Sequence, residues 1–275
     1  MLRIFLAILA LGLFPLDAHA WGLPTHLFFA HYALLALPLA DPELRAAVAR
    51  FPRLVLAGAC LPDLALIGQM MGTPAFQRSH RWSMLRRIAA APRDERELAL
   101  VFGYGTHLVV DVIAHNIFVP EHEARLVKGG QVAHAICEWA MDEHLRGRVP
   151  DSPAGVLAAA DPALLTGFVA RAFRCDEPLA ASGLGVLRRA NGLLAVSRLP
   201  RLCRSIVSLY ERRLEPRFES YIRRTAMALR SVEQALAGRF VDWESSDPEG
   251  ETRNRGADRR SRQHVAGVVE PQHHA

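Results

Sequence analysis

The feature that most constrains this chain is an apolar stretch, FGYGTHLVVDVIAHNIFVP, at residues 102–120. Three ionisable residues, His107, Asp111 and His115, interrupt it at intervals of four. On a helix, each interval of four advances about 40° around the axis, so all three would project from one stripe about 80° wide. Ionisable groups inside an apolar helix are unfavourable unless they are paired or bind a metal. The stretch therefore predicts a buried helix with a polar stripe that needs partners.

A second pair of ligand-type residues, His134 and Glu138, follows on the next predicted helix, again four residues apart, with Asp142 one turn further. Zinc binds histidine nitrogen and carboxylate oxygen, and a helical pair at this spacing is a common way to supply both. Two antiparallel helices with a short connection would place the two stripes face to face. One buried histidine is usually a hydrogen-bonded core residue, but the two sets together favour a metal site.

Helical signals also extend through the rest of the chain, and alternating β-branched runs or Asn-Gly hairpins are essentially missing. A chain of 275 residues is long enough for one substantial core. The sequence therefore predicts an all-α fold, a single-domain multi-helix bundle. The predicted helices run from Thr25 to Leu39, from Pro42 onward, from Arg93 to about Phe118, from Gly130 to about Leu145, from Pro153 and from Pro162 onward, from Arg201 to Leu214, and from Pro216 to Leu236.

The first 20 residues are typical of a secretory signal peptide. Arg3 precedes an apolar core from Ile4 to Leu16, and Ala18-His19-Ala20 provides a cleavage site before Trp21. An uncleaved membrane anchor is the alternative, although the apolar run is shorter than the roughly 20 residues that a span needs. We therefore expect a periplasmic or secreted protein, and we expect no later segment to be long and apolar enough to cross a bilayer.

The C-terminal end of the chain differs in composition from the rest. Residues 244–275 are polar and charged and have no hydrophobic periodicity, which predicts a disordered tail. The helical domain is therefore expected to span residues 21–243. Four cysteines lack CxxC spacing, so buried thiols are the simpler interpretation, although an oxidising compartment would permit a bridge between Cys175 and Cys203.

A basic segment near the C-terminal end of the predicted domain has two interpretations. Nine arginines and three glutamates lie between Arg198 and Arg230. Such a segment can attract anionic lipid or nucleic acid, or it can simply be a solvated helix face with internal ion pairs. A peripheral membrane contact is compatible with the first interpretation, and no obligate protein partner is expected.

Three further elements stand upstream of the metal-site pattern: Trp21 with His26 five residues on, Asp63 in GACLPDLALIG, and His80 in SHRW. The proline before Asp63 predicts a loop there. The combined order W-x4-H, PD, HRW, GYGTH-x3-D-x3-HN and H-x3-E resembles the zinc-dependent phospholipase C family, over roughly residues 21–142. That family includes secreted bacterial phospholipases C and a domain of glycosylphosphatidylinositol-specific phospholipases D. A fungal family of secreted nucleases for single strands shares its helical fold and metal site.

The resemblance implies a cluster of three zinc ions inside the bundle. The ligands would be Asp63, His80, His107 and Asp111 for the first ion; His115, His134 and Glu138 for the second; and the α-amino and carbonyl groups of Trp21, His26 and a shared Asp111 for the third. His31 is an alternative to His26. The spacing departs from the secreted phospholipases C and the nucleases, which usually place five residues between the bridging aspartate and the next histidine; the three residues found here resemble the phospholipase D branch.

The activity that the resemblance implies is that of an exported zinc-dependent phosphodiesterase that hydrolyses phospholipids. Bound zinc lowers the pKa of water to around 7, which makes hydroxide available to attack phosphorus. Asp63 is the candidate for orienting or deprotonating that water. One alternative is a nuclease for single-stranded nucleic acid with the same zinc site, which would need aromatic platforms for base stacking. The other is a non-catalytic binding protein that zinc stabilises.

Overall fold

The computed structural model describes residues 22–123 and 131–239, and these residues form helices with no strand among them. The predicted all-α class and single helical domain are confirmed. The predicted signal peptide, Trp21 and the C-terminal tail lie outside the described residues. The α-helices are α1 Leu23–Ala36, α2 Pro42–Arg50, α3 Pro52–Gly58, α4 Leu64–Met70, α5 Trp82–Ala89, α6 Glu95–Ile113, α7 Val119–Glu123, α8 Gln131–Leu145, α9 Pro153–Ala159, α10 Pro162–Phe173, α11 Glu177–Val196, α12 Leu199–Tyr210, α13 Leu214–Ala228 and α14 Val232–Leu236.

Short polar side chains begin several of these helices, largely as the sequence predicts. The Asp41 carboxylate accepts hydrogen bonds from the first backbone N–H groups of α2, and Asp161 does the same for α10. At α9 the cap is Ser152, whose hydroxyl accepts from the Gly155 N–H. No helix was predicted at α11, although Asp176 caps it in the same way.

The centre of the fold is α6, which carries the apolar stretch with its polar stripe. Every residue from Ala99 to His115 is buried, because α1, α2, α3, α5, α13 and α14 all pack against this helix. Beyond Ile113 the chain continues as a π-helix over Ala114–Phe118 before α7 begins. Single π-turns inside α-helices are often found at functional sites.

A close crossing of α3 and α6 depends on two glycines. A Cβ atom on Gly103 would lie 1.9 Å from the carbonyl oxygen of Val55, and one on Gly58 would lie 2.1 Å from that of Leu100. The two helices therefore touch backbone to backbone, with no room for side chains between them. This contact fixes the segment that follows α3, which carries Asp63, against the middle of α6.

We expect Gly103→Ala to lower the free energy of unfolding by about 3 kcal/mol, the upper part of the usual range for overpacked cores, because no side-chain rotation can relieve a clash with backbone. Gly192→Ala is the matched control. It lies within α11 and its Cβ would meet nothing closer than the Ala154 Cβ at 3.9 Å. Replacing glycine in an open helix position stabilises by about 0.5–1 kcal/mol. Urea unfolding of both variants measures the contrast, and equal stabilities would show that the helices are not in contact.

The prediction that no later segment is long and apolar enough to cross a bilayer is wrong, because two helical stretches within the described residues have that length and hydropathy. Pro52–Met71 and Glu95–His122 both meet those criteria, and a bent pair, Pro153–Ala159 with Pro162–Phe173, does so if taken as one segment. The most apolar windows of the first two are 78% and 94% buried inside the protein. Their hydrophobic surface therefore packs against the rest of the bundle.

The cysteines are thiols in this fold, since none of the four forms a disulfide. Cys60, Cys137 and Cys203 are buried, and Cys175 is partly buried. Burial raises the pKa of Cys203 to about 12. A bridge between Cys175 and Cys203 is thus absent, in agreement with the prediction of buried thiols for three of the four residues.

Candidate metal centre

Three groups of histidine and carboxylate side chains meet beside α6. Within each group, one candidate ligand atom from every residue lies within 4.8 Å of the others. The groups are Asp63, His80 and His107; His26, His107 and Asp111; and His115, His134 and Glu138. All predicted ligands within the described residues are therefore brought together, in an arrangement that parallels the assignment implied by the family resemblance.

The first group has the dimensions of a zinc site. The Nε2 atoms of His80 and His107 lie 3.5 and 3.6 Å from Asp63 Oδ1, and 3.2 Å from each other. A tetrahedral zinc with ligands at about 2.0–2.1 Å places neighbouring ligand atoms about 3.3–3.4 Å apart. Nitrogen and oxygen at these separations therefore fit around one ion without rearrangement of the side chains.

Asp111 connects the first group to the second through its two oxygens. Oδ2 lies 3.2 Å from His107 Nε2 and 3.4 Å from His80 Nε2, whereas Oδ1 lies 3.3 Å from His26 Nε2. His115 Nε2 is also near Oδ1, at 3.8 Å. One carboxylate thus presents different oxygens to different histidines, which is the geometry that a bridging ligand requires.

The third group joins the end of the α6 stripe to α8. His134 Nε2 lies 2.9 Å from Glu138 Oε1, and the rings of His115 and His134 stack with centroids 5.1 Å apart. His115 lies in the π-helix, where the wider turn changes the angular register of the residues that follow Asp111. With three residues between Asp111 and His115, the structure thus brings His115 to the α8 pair.

Several polar atoms at this centre are buried and make no hydrogen bond with any residue that the structure describes. They are both ring nitrogens of His26, Oδ1 of Asp63, both oxygens of Asp111 and Oε1 of Glu138. Buried polar atoms are nearly always satisfied by a partner, and leaving one unsatisfied is unfavourable by about 1–3 kcal/mol. A cluster of such atoms, all of types that bind zinc, fits a set of metal ions.

The ionisation of these groups is strongly coupled. Burial alone would raise the pKa of Asp111, but the facing His107 and His26 lower it well below its usual range. Burial and the neighbouring His107 lower the pKa of His26, while for His107 the Asp111 carboxylate outweighs burial and raises the pKa. Burial raises the pKa of Glu138 to about 8. A cation beside Glu138 would favour its ionised form at neutral pH.

Hydrogen bonds behind the candidate ligands fix their orientation. His107 Nδ1 donates to the Ala59 carbonyl at 2.7 Å, which leaves Nε2 with its lone pair toward the cluster. The Tyr104 hydroxyl donates to the carbonyl of Ser79, and the Ser79 hydroxyl donates to the carbonyl of Pro62. Ser79 directly precedes His80, and Pro62 directly precedes Asp63. This series of hydrogen bonds was not predicted from the sequence. The tyrosine in the apolar GYGTH segment was nevertheless a signal, because a buried tyrosine hydroxyl needs a partner.

Two details differ from the sequence analysis. Asp63 ends a short 3-10 helix, Leu61–Asp63, and α4 follows immediately, so this residue does not lie in a loop. His31 pairs instead with Asp151, its Nε2 lying 3.1 Å from Oδ2, and is in none of the three groups. The structure therefore favours His26 over His31. Trp21, the remaining predicted ligand, lies outside the described residues.

The fold is an all-α bundle, and it contains three largely buried groups of histidine and carboxylate side chains, two of which share His107. The protein is therefore of the class of helical proteins with a candidate multinuclear metal centre. Comparison with known proteins gives the family: the model for zinc dependent phospholipase C matches residues 25–169, more than half of the chain. The chain belongs to the zinc-dependent phospholipase C family, a family of metal-dependent hydrolases.

A curated relative is similar over part of the chain. It is named cobyric acid synthase, from Variovorax paradoxus (strain S110), and is 29% identical over 153 residues, which cover 50% of this chain and 29% of that protein. The chain thus spans less than a third of the length of this relative. No solved structure matches the chain.

Proposed function

We propose that this protein is an exported zinc-dependent phosphodiesterase that hydrolyses phospholipids in the manner of a phospholipase C. The observation that carries the proposal is the Asp111 carboxylate, whose two oxygens face separate histidine groups at 3.2–3.4 Å. Family membership supplies the substrate class. The cluster would lower the pKa of water and stabilise negative charge at phosphorus.

The side chains would have different roles in this site. Asp63, His80, His107 and Asp111 would hold one ion, and His115, His134 and Glu138 a second. Asp63 is the candidate for orienting the attacking water, because its Oδ1 is buried beside His80 and His107 and makes no hydrogen bond within residues 22–123 and 131–239. The Ala59 carbonyl would hold the His107 ring in the tautomer that leaves Nε2 available to a metal.

Export belongs to the same proposal. Helix α1 begins at Leu23, two residues after Trp21, and its His26 faces Asp111 at 3.3 Å. Cleavage before Trp21 would therefore create a free amine at the beginning of the helix that carries His26. This position supports a third ion bound by the terminal amine and carbonyl, His26 and the shared Asp111.

Five aromatic residues near the candidate ligands are unavailable for stacking the bases of single-stranded nucleic acid. Phe29, Phe76, Tyr104 and Phe118 are fully buried, and Trp82 is 5% exposed. They therefore belong to the core and cannot serve as the stacking platforms on which a nuclease would hold bases. Phe28 is only partly buried but packs against the core as well.

The turn between α11 and α12 supports a peripheral membrane contact. Leu193 and Val196 are 71% and 82% exposed on the last turns of α11, and three exposed arginines flank them. These are Arg188, Arg189 and Arg198, none of which forms an ion pair within the described residues. Exposed aliphatic side chains beside unpaired arginines suit the surface of an anionic phospholipid membrane.

We expect the double substitution Leu193→Ser and Val196→Ser to weaken binding to phosphatidylglycerol-containing vesicles about tenfold, since each side chain loses apolar burial in the membrane interface. Leu209→Ser is the matched control, because Leu209 is 79% exposed at the opposite end of α12. Co-sedimentation with vesicles measures the change. Equal losses in the variant and the control would locate the membrane contact elsewhere.

Zinc content and substrate choice together test the proposed function. Processed protein is analysed for bound zinc and assayed on phosphatidylcholine and on single-stranded DNA. Zinc binding with phosphatidylcholine hydrolysis supports the proposal, provided that His107→Ala abolishes the activity and His31→Ala, outside the cluster, does not. Hydrolysis of DNA alone would identify a nuclease, and tight zinc binding with no turnover of either substrate would indicate a non-catalytic binding protein.

A further inference from the structure

The beginning of α1 is held by a residue from a distant helix. Gly22, the N-cap of α1, has no side chain to satisfy the first N–H groups, and the first turn contains no acidic residue. Asp142 of α8 takes this role: its Oδ1 accepts hydrogen bonds from the Thr25 backbone N–H at 3.1 Å and from the Thr25 hydroxyl at 2.7 Å. A carboxylate at this place also interacts favourably with the helix dipole.

The contact is tight and buried. Asp142 is 4% exposed, and Thr25 is fully buried. A Cβ atom on Gly22 would lie 1.7 Å from Asp142 Oδ2, so the glycine backbone lies directly against the carboxylate. Oδ2 makes no hydrogen bond with any described residue, and it lies beside the residue that follows Trp21.

The position of Asp142 on α8 links two parts of the candidate centre. It follows Glu138 by four residues, and Glu138 follows His134 by four, so all three project from one face of α8. Asp142 also fixes, through Thr25, the first turn of α1. This turn carries His26 and begins two residues after Trp21. Helix α8, which carries His134 and Glu138, thus holds the N-terminal segment that would carry the terminal amine.

We propose that Asp142 is a positioning residue that fixes the processed N-terminus and His26 at the metal cluster. The inference rests on the proposed function, because it concerns the ion that the terminal amine would bind. It adds a residue outside the ligand set and explains why a carboxylate is buried one turn beyond Glu138. It also explains the glycine after Trp21, since a side chain at that position would displace the Asp142 carboxylate.

Three variants of the processed protein separate this role from simple packing. Asp142→Ala removes the acceptor, Asp142→Asn retains an oxygen in the position of Oδ1, and Thr25→Val removes only the hydroxyl bond at nearly constant shape. We expect Asp142→Ala to lose one zinc ion while it keeps the others, Asp142→Asn to keep the full complement, and Thr25→Val to show a smaller loss.

A second readout does not depend on activity. A terminal amine bound to metal reacts poorly with an acylating reagent, so mass spectrometry of the N-terminal peptide reports whether the amine is held. Asp142→Ala is expected to be labelled about tenfold faster than the wild type. This change corresponds to about 1.4 kcal/mol in the free energy that holds the amine at the metal. Asp142→Asn is expected to be labelled at the wild-type rate.

Two results would overturn the proposal. The first is an Asp142→Ala protein with unchanged zinc content and unchanged labelling. The second is a uniform loss of all zinc in Asp142→Ala and Thr25→Val alike, which would indicate a general packing role. If the wild type itself binds no zinc, the proposed function fails, whereas the cap is still tested by amide hydrogen exchange of the first turn of α1: unchanged exchange in Asp142→Ala would then refute it.

Discussion

Asp111→Asn is expected to reduce phospholipid hydrolysis by about 10²–10³-fold, comparable to the loss of one electrostatic contact that stabilises a transition state. The expected effect is large because the two oxygens of Asp111 face different groups, Oδ2 toward His107 and His80 and Oδ1 toward His26. Asparagine has one oxygen and an NH2 group, which cannot bind a cation. The variant therefore loses one of the two contacts of a bridging carboxylate, and we expect it to lose at least one zinc ion.

Asp151→Asn is the matched control for this prediction. Asp151 also pairs with a histidine, His31, at 3.1 Å, but the pair is partly exposed and lies outside the three groups. The same chemical change there should leave zinc content and turnover unchanged. Steady-state assays and elemental analysis measure both quantities. If Asp111→Asn retained full zinc content and activity within about twofold, Asp111 would not be a bridging ligand.

Removal of zinc is expected to lower the melting temperature by about 10 °C or more. An ion present at about 1,000 times its Kd stabilises the folded state by about 4 kcal/mol. A domain of this size loses about 2–4 °C for each kcal/mol. Without metal, Asp63, Asp111 and Glu138 remain buried with oxygens that no hydrogen bond from the described part of the chain satisfies, which adds to the loss.

Differential scanning calorimetry with and without a chelator measures this effect. Added zinc should restore the melting temperature, whereas calcium should not, because calcium prefers sites made of oxygen ligands alone. The Asp111→Asn variant should show a smaller shift than the wild type, since it begins with fewer ions. A melting temperature that does not respond to chelation would show that the buried polar cluster is stable without metal.

The sequence predicted the fold class and the groups of candidate ligands because both depend on local spacing. Intervals of four placed His107 and Asp111 on one face of α6, and His134 and Glu138 on one face of α8, whatever the rest of the chain does. The N-terminal ends of the helices that Asp41 and Asp161 cap could also be predicted from local chemistry, since a short carboxylate before a proline satisfies the first N–H groups.

Other features could not be predicted because they depend on how distant segments meet. The backbone contact of Gly103 with Val55 becomes visible only when α3 crosses α6. The π-helix that contains His115 has no distinct sequence pattern, although it brings this residue to the α8 pair. Asp142 stands one turn beyond Glu138 in the sequence, but its partner, Thr25, lies 117 residues away.

The central claim is that the three groups beside α6 hold zinc ions and that Asp111 bridges two of these ions. Anomalous diffraction at the zinc absorption edge, on crystals of the processed protein, tests this claim most directly. We expect three peaks: one between Asp63, His80, His107 and Asp111 Oδ2, one at His115, His134 and Glu138, and one beside His26 and Asp111 Oδ1. A crystal grown with zinc that shows no peak at the Asp63 group, or fewer than two peaks in all, would contradict the account.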